Sequence, residues 1–191
     1  IIGQGYVGLP LAMAAVAAGW NVIGVDNIAA KVAQINGGSS PVEDVSDSHL
    51  QTSISNGAYK ATTDFSEVAQ ASVITIWVPT PLDDKREPDL TLLRSAVTGI
   101  APYVSNQTLV VSESTSYPGT LREIVITQIS KSNKANFLYA AAPERIDPGN
   151  TKWSIKNTPQ VIAGVDKAST SAAFEFYRSI CDQSKCCFSQ R

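Results

Sequence analysis

The stretch Ile1-Ile2-Gly3-Gln4-Gly5-Tyr6-Val7-Gly8 decides the fold. Its two isoleucines are typical of the end of a buried strand, and its glycines follow the spacing G-x-G-x-x-G. Gly3 permits a tight turn, and Gly5 leaves room for a pyrophosphate to approach the backbone. Gly8 lets the following helix pack closely on the strand. The stretch therefore predicts a strand, a glycine turn and the start of a helix.

The residues that follow supply the structural context that this motif requires. An apolar run at 9–18 predicts a helix that ends at Gly19, and residues 21–26 predict a second buried strand. Asp26 stands at the carboxyl end of that strand, where a carboxylate binds the ribose hydroxyls of NAD and repels the 2′-phosphate of NADP. NAD is therefore the expected cofactor. Lys31 either reaches the adenosine ribose or lies solvated on its helix.

Composition excludes several classes of function. The 191 residues are 43% hydrophobic with a formal net charge of −2, so a sizeable core is possible and no basic stripe favours nucleic acid. No apolar stretch is long enough to cross a membrane, and a cytoplasmic protein is expected. The only histidine is His49, which excludes a histidine-rich metal site, and no metal is expected.

Strands alternate with helices along most of the chain. This pattern predicts an α/β fold of the Rossmann type, a doubly wound and mainly parallel sheet with helices on both faces. The later strands are expected at 59–62, 72–78, 108–113, 136–142 and 159–164, and the later helices at 28–35, 47–56, 90–101, 120–132 and 167–181. Asp64 with Glu67 has the spacing of a capping box, and Asp166 is expected to cap the last helix.

Ligands of such sheets bind outside the carboxyl ends of the strands. This rule selects four loops, at residues 3–8, 79–89, 114–119 and 143–149, each of which is polar or rich in glycine and proline. We therefore expect these loops to meet around one site.

The loops resemble those of the UDP-glucose/GDP-mannose dehydrogenase family, in its NAD-binding N-terminal domain. The resemblance rests on residues 3–12, on Val78-Pro79-Thr80-Pro81-Leu82, on residues 113–120 and on the segment Pro143-Glu144-Arg145-Ile146-Asp147-Pro148-Gly149-Asn150. The last three motifs, with residues 86–89, look most like the branch that acts on UDP-N-acetylhexosamines, particularly UDP-N-acetylglucosamine 6-dehydrogenases.

The resemblance implies an activity. The family oxidises C6 of a nucleotide sugar from alcohol to carboxylate with two NAD, for the synthesis of polysaccharide precursors. The second oxidation needs a covalent adduct, since an aldehyde has no hydroxyl to oxidise until a nucleophile adds to it. In the family that nucleophile is a cysteine, and an activated water then hydrolyses the thioester.

Residue roles follow from the same resemblance. Glu144 matches the glutamate implicated in catalysis, near the water step, and Thr115 matches the threonine beside the nicotinamide and the reacting centre. The substrate is expected at Arg145, Ile146 and Asp147. The expected cofactor contacts are Gly3, Gly5, Tyr6, Val7, Gly8, Asp26, Lys31, Pro79, Thr80 and Thr115.

One departure from the family pattern limits the assignment. None of Cys181, Cys186 and Cys187 has the glycine-rich surroundings of the catalytic cysteine, so none is assigned. We expect an NAD-binding domain at 1–181 and the start of a linker or tail at 182–191, with the sugar-binding domain absent and the fragment alone inactive. The full-length parent is expected to form a homodimer or a larger oligomer.

Three alternatives stay open. UDP-N-acetylmannosamine and UDP-glucose are the nearest rival substrates within the family. A non-catalytic NAD-binding module would also carry the glycine motif. A 3-hydroxyacid dehydrogenase would share the features of the first 26 residues, but that class generally uses a histidine and lacks the Pro-Glu-Arg loop.

Overall fold

The computed structural model describes residues 1–144, Ile155 and 157–181, together with the backbone at 187–188. Residues 1–2 pair as a short extended segment at the centre of the sheet. Within the described residues the strands are β1 (Val22–Val25), β2 (Tyr59–Thr62), β3 (Val73–Ile76), β4 (Leu109–Ser112), β5 (Leu138–Ala141), β6 (Val161–Gly164) and β7 (Cys187–Phe188).

Helical segments connect these strands and confirm the alternating pattern. They are α1 (Gly8–Ala17), α2 (Ala29–Asn36), α3 (Asp47–Ser55), α4 (Thr91–Ile100), α5 (Thr127–Ser132) and α6 (Lys167–Ile180), with a 3-10 helix at Phe65–Gln70 and a π-helical stretch at Leu121–Ile126. Gly19 follows α1 with a φ of 92°, the left-handed conformation that ends a helix.

The sheet is parallel except at one pair. Ile2 forms parallel bridges to Val25 and to Ile76, and thereby joins the β1–β2 pair to the series β3-β4-β5-β6-β7. Strand β6 runs antiparallel to β5, while the other paired strands are parallel. The carboxyl ends of β1, β3, β4 and β5 therefore open on the same edge.

Apolar side chains cover both faces of the sheet. Strand β4 shows how, because Leu109 and Val111 join the core under α1, α3 and α6, whereas Val110 joins the core under α4 and α5. Successive side chains of a strand point to opposite faces, so a strand buried on both sides is apolar throughout. This double burial confirms the doubly wound α/β class.

The first capping prediction was only partly right. Asp64 does cap the segment, but its Oδ1 accepts from the Ser66 amide at 2.8 Å, and the segment is a 3-10 helix. The Glu67 carboxylate instead accepts from Lys60 Nζ at 2.9 Å and from Gln70 Nε2 at 2.6 Å, so no reciprocal capping box forms. The Asp166 cap is confirmed, since its Oδ1 accepts from the Ser169 amide at 2.7 Å.

Two further differences from the sequence prediction concern helix type and the last strand. The helix expected at 120–132 begins as a π-helix, and the Thr127 hydroxyl donates to the carbonyl of Arg122, five residues earlier, at 2.9 Å. Strand β7 pairs in parallel with β6, although residues 182–191 show no periodicity in the sequence. A strand of two residues is too short to leave a pattern.

Candidate functional site

A cavity of about 610 Å³ opens at the carboxyl edge of the sheet. The loops predicted from the strand order supply its walls, because Gly3, residues 5–8, Pro79, Thr80, Ser114, Thr115 and Glu144 all line it. Asp26 and Lys31 line it as well. The expectation that these loops meet around one site is therefore confirmed for the residues that the structure describes.

The three glycines have the geometry that a dinucleotide needs. Gly3 has a φ of 91°, and a Cβ there would lie 2.0 Å from the carbonyl oxygen of Trp77. A Cβ on Gly8 would lie 1.9 Å from the carbonyl oxygen of Gly3, whereas one on Gly5 would meet nothing within 4 Å. Gly3 and Gly8 are thus required for close packing, and Gly5 faces open space at the cavity wall. This arrangement fits a bound pyrophosphate.

Helix α1 begins at the same place. In its first turn the amides of Leu9 and Leu11 donate to the carbonyls of Gly5 at 3.2 Å and Val7 at 3.0 Å, and the helix dipole favours negative charge at this end. Tyr6 and Val7 lie between the glycines, and the side chain of Tyr6 is 64% exposed at the rim of the cavity. The turn and the helix start together form a site for an anion.

Gln4 fixes the shape of the turn, a role that sequence reasoning missed. Its side chain is fully buried, and its Nε2 donates to the carbonyl of Ile1 at 2.9 Å and to that of Gly3 at 3.1 Å. The Tyr59 hydroxyl donates to Gln4 Oε1 at 2.7 Å. Burial, reinforced by the nearby Asp26 charge, raises the pKa of Tyr59, so this hydroxyl stays a donor.

Asp26 lies at one end of the cavity and is 5% exposed. Its Oδ2 accepts from the Gln4 amide at 2.9 Å and from Lys31 Nζ at 2.7 Å, and its Oδ1 accepts from the Ile28 amide at 3.0 Å. The carboxylate is thus oriented by the glycine turn and paired with Lys31, which is 24% exposed on its side chain.

The loops after β3 and β4 are tied together at the opposite end. The Thr80 hydroxyl donates to the main-chain carbonyl of Thr115. Ser114 Oγ accepts from the Val78 amide at 3.0 Å and donates to the Val78 carbonyl at 2.8 Å. Ser114 holds the two loops in one arrangement, and nothing in its sequence position beyond the motif would have revealed this role.

Two glutamates meet at this end of the cavity. Glu144 lines it from the loop after β5, and its amide donates to the carbonyl of Glu113 at 3.1 Å. Glu113 also lines the cavity and is fully buried. Burial raises the pKa of Glu113 well above the usual 4.5, the Tyr177 hydroxyl partly opposes this shift, and the Glu144 charge adds to it.

Several sequence expectations are not described by the structure. Arg145, Ile146 and Asp147 lie outside the described residues, as does Cys186. The Cys181 thiol is buried at the end of α6, away from the cavity lining, and donates to the carbonyl of Ile155 at 3.3 Å. The backbone of Cys187 belongs to β7.

The described residues contain neither a metal-binding cluster nor a membrane-crossing helix. Within them, no group of three or more His, Cys, Asp or Glu side chains is arranged to hold a metal ion. In the same part of the chain, none of the helices combines the length and the apolar composition that a membrane crossing requires.

The fold and the glycine-lined cavity define a dinucleotide-binding domain of the Rossmann type. Comparison with family models gives the particular family. Residues 1–181 match the model of the UDP-glucose/GDP-mannose dehydrogenase family, NAD binding domain. The chain belongs to this family, and NAD is the cofactor of the matched domain.

Relatives with established names carry nucleotide-sugar activities. The chain is 36% identical over 184 residues to the UDP-N-acetyl-D-mannosamine dehydrogenase of Methanocaldococcus jannaschii, covering 94% of the chain and 42% of that protein. It is 28% identical over 184 residues to the UDP-N-acetyl-D-glucosamine 6-dehydrogenase of Pseudomonas aeruginosa, covering 94% of the chain and 43% of that protein. The chain therefore spans less than half the length of these relatives.

A solved structure has the same fold. The UDP-D-ManNAc dehydrogenase of Pyrococcus horikoshii superposes with a TM-score of 0.89 at 28% identity, covering 100% of this chain and 46% of that one. The likeness therefore extends over the whole chain, including the strands whose loops line the cavity.

Proposed function

We propose that this chain is the cofactor-binding part of an NAD-dependent nucleotide-sugar 6-dehydrogenase that oxidises C6 of a UDP-N-acetylhexosamine from alcohol to carboxylate. The single observation that carries the proposal is the cavity itself, because one cavity is lined by Asp26, by Gly5 with its unobstructed Cβ position, and by the hydrogen-bonded pair Thr80 and Thr115. Family membership and the names of the relatives support the substrate class.

The cavity suggests one orientation for the cofactor. The adenosine ribose lies at Asp26 and Lys31, and the pyrophosphate lies over Gly5 at the start of α1. The nicotinamide then lies at the far end, near Pro79, Thr80 and Thr115. This orientation assigns cofactor contacts to the residues expected from the sequence, including the backbone of Gly3, Tyr6, Val7 and Gly8.

Preference for NAD over NADP follows from Asp26. A 2′-phosphate on the adenosine ribose would stand beside a buried carboxylate, which repels it. Lys31 does not reverse this preference, because its ammonium already pairs with Asp26 Oδ2 at 2.7 Å.

At the nicotinamide end the chain supplies two groups for the reaction. Thr115 lies beside the reacting centre, where the Thr80 contact holds its backbone in place. Glu144 orients the water that hydrolyses the thioester, and it takes a proton from that water as the bond forms. When bound, NAD supplies the hydride acceptor for each oxidation, and Arg145 with the backbone of Ile146 and Asp147 contacts the sugar nucleotide.

The covalent step requires a thiol, and no cysteine in the described part of the chain lines the cavity. We place that cysteine in the part of the relatives that the chain does not span, and we assign residues 1–181 to the NAD-binding domain and 182–191 to the start of a linker or tail. The parent protein is expected to be cytoplasmic and to form a homodimer or a larger oligomer.

The relatives' names bear on the choice of sugar. The 36% identical relative acts on UDP-N-acetyl-D-mannosamine, and the 28% identical one on UDP-N-acetyl-D-glucosamine. We therefore place UDP-N-acetylmannosamine beside UDP-N-acetylglucosamine as the candidate substrate.

A domain exchange tests the proposal. Residues 1–181 are placed in the Methanocaldococcus jannaschii relative in exchange for its matching domain, and NADH formation from UDP-N-acetylmannosamine is followed. We expect two NADH per sugar, with Glu144→Gln slowing hydrolysis while the NAD dissociation constant stays unchanged. A folded chimera that binds NAD without turnover would favour a non-catalytic module. Unchanged turnover in Glu144→Gln would remove Glu144 from the mechanism.

A further inference from the structure

Glu113 is a buried acid that the proposed mechanism does not use. It follows β4 directly, its side chain has no solvent exposure, and it lines the cavity at the end where Thr115 and Glu144 lie. A carboxyl group in such a place is costly to bury as an anion, since burial favours the neutral form.

The backbone holds Glu113 firmly, while its carboxyl oxygens lack a hydrogen-bond partner in the described part of the chain. Its amide donates to the carbonyl of Ile76 at 3.2 Å, and its own carbonyl accepts from the Glu144 amide at 3.1 Å. Among the described residues, neither Oε1 nor Oε2 has a hydrogen-bond partner of normal geometry. Buried polar atoms without partners are rare in proteins, and here they border the cavity in which a ligand binds.

The groups that face Glu113 come from three parts of the chain. Tyr177 approaches from α6 and is itself buried, with Cys181 next to it, and its pKa is raised well above 10.0 by burial and by the Glu113 charge. Glu144 contributes a negative charge. The amino group of Ile1 also faces Glu113, but burial lowers its pKa to about 5, so it adds little positive charge at neutral pH. Burial outweighs the two groups that favour the anion, and the pKa of Glu113 is raised well above its usual value. In the ligand-free cavity the protonated form of Glu113 is therefore favoured.

Oxidised and reduced cofactors differ in charge at the end of the cavity that Glu113 lines. The nicotinamide ring of NAD carries a positive charge, and that of NADH is neutral. Glu113 is already fully buried, so a nicotinamide ring placed beside it changes its desolvation little. The main effect of the ring on Glu113 is then the charge that the ring carries. A nearby positive charge favours the ionised form of a carboxyl group, and a neutral ring does not.

We propose that Glu113 is a proton-releasing residue, which loses its proton to solvent when oxidised NAD binds and keeps it when NADH binds. The proposal rests on the placement of the nicotinamide under the proposed function. The release is a simple ionisation: the O–H bond breaks, its electron pair stays on the carboxylate oxygen, the proton goes to solvent, and nothing is oxidised or reduced. Glu144, which is partly exposed and adjacent, gives the proton a route to solvent.

This ionisation makes cofactor affinity depend on pH and on redox state. In the pH range where Glu113 is protonated before binding and ionised after it, the affinity for NAD rises about tenfold per pH unit. The affinity for NADH stays level across the same range. The site would thus favour the oxidised cofactor over the reduced one increasingly as the pH rises.

Titration calorimetry in two buffers of different ionisation enthalpy measures the protons released. With the 191-residue chain we expect release of close to one proton when NAD binds and none when NADH binds, at a pH within that range. Glu113→Gln should bind both cofactors without release. Glu43→Gln, at an exposed loop position, is the matched control and should behave as the unaltered chain does.

Release that persists in Glu113→Gln would overturn the inference, as would NAD binding to the unaltered chain without release at any pH from about 4 to 10, the range between the ordinary carboxyl and tyrosine pKa values. A chain that binds neither cofactor would refute the proposed function itself. Infrared spectroscopy gives an independent reading without a variant, because a protonated carboxyl has its own C=O band. We expect this band in the ligand-free chain at neutral pH, and its absence would also overturn the inference.

Discussion

The substitution Gly5→Ala separates cofactor binding from folding. A Cβ on Gly5 meets nothing within 4 Å, and the φ of Gly5 lies outside the left-handed region. Alanine should therefore leave the fold intact, and its lower entropy in the unfolded state stabilises the chain by about 0.4–1 kcal/mol. The same methyl group projects toward the proposed path of the pyrophosphate. We expect NAD affinity to fall at least tenfold, or about 1.4 kcal/mol.

Gly8→Ala is the counterpart that should damage the fold. Its Cβ would lie 1.9 Å from the Gly3 carbonyl oxygen, where ordinary contact begins at 3.4 Å, so α1 must move away from the turn. Overpacking of this kind costs about 1–3 kcal/mol, against a gain in helix propensity of about 1 kcal/mol. The net free energy of unfolding should therefore fall.

Urea unfolding and calorimetric titration with NAD measure the two effects on the same samples. We expect opposite profiles. Gly5→Ala should unfold at an equal or slightly higher urea concentration and bind NAD more weakly, whereas Gly8→Ala should unfold at a lower urea concentration. NAD affinity equal to that of the unaltered chain in Gly5→Ala would show that the pyrophosphate does not pass over this residue. A large loss of stability in Gly5→Ala would show that the open space is not there.

Three further predictions concern single side chains. Tyr59→Phe leaves Gln4 Oε1 buried without its donor and should lower the free energy of unfolding by about 1–3 kcal/mol, measured in urea. Tyr103→Phe, at a 44% exposed ring, is its control, and an equal loss in both would contradict the role given to the Gln4 contact. Glu113→Gln should remove a loss of stability that the unaltered chain suffers as pH rises from about 4.5 toward the raised pKa of Glu113, because the folded state holds a proton that the unfolded state has lost. Thermal melts across that range measure this, and parallel curves for the two proteins would refute it. The pKa of Asp166 is lowered below 3.8 by the Ser169 amide, so the stability from this cap is present above that pH and is lost as the pH falls through the lowered value. Asp166→Ala should lower Tm at neutral pH but not in strong acid, and an equal shift in both would contradict the cap.

The glycine spacing and the alternation of strands and helices were enough to predict the fold and one edge of the site. Both signals are local, since a turn at Gly3 and an apolar run at β4 are visible within a few residues. The roles of Gln4, Ser114 and Glu113 were not predictable in this way. Each depends on a partner far along the chain, such as Tyr59 for Gln4 and Val78 for Ser114.

Glu113 also shows why strand patterns hide site residues. It follows strand β4 directly, so the sequence presents it as a strand end. Only the structure reveals a buried acid whose carboxyl oxygens have no hydrogen-bond partner among the described residues. The sequence also did not predict that one helical segment is a 3-10 helix and another a π-helix. Apolar periodicity does not distinguish helix types, which here depend on side-chain contacts such as that of Thr127 with the Arg122 carbonyl.

Residues 1–2, which join the two parts of the sheet, have a consequence for the cooperativity of local unfolding. The Ile2 amide donates to the Thr75 carbonyl at 2.8 Å, and the Gly3 amide donates to the Val25 carbonyl at 2.7 Å, so the β1–β2 pair is joined to β3 through a segment two residues wide. The glycine turn that begins at Gly3 follows that segment directly in the chain. A ligand that stabilises the turn should therefore also stabilise the contact between the two parts of the sheet. Cofactor binding should then slow the hydrogen exchange of the Ile2 and Gly3 amides together.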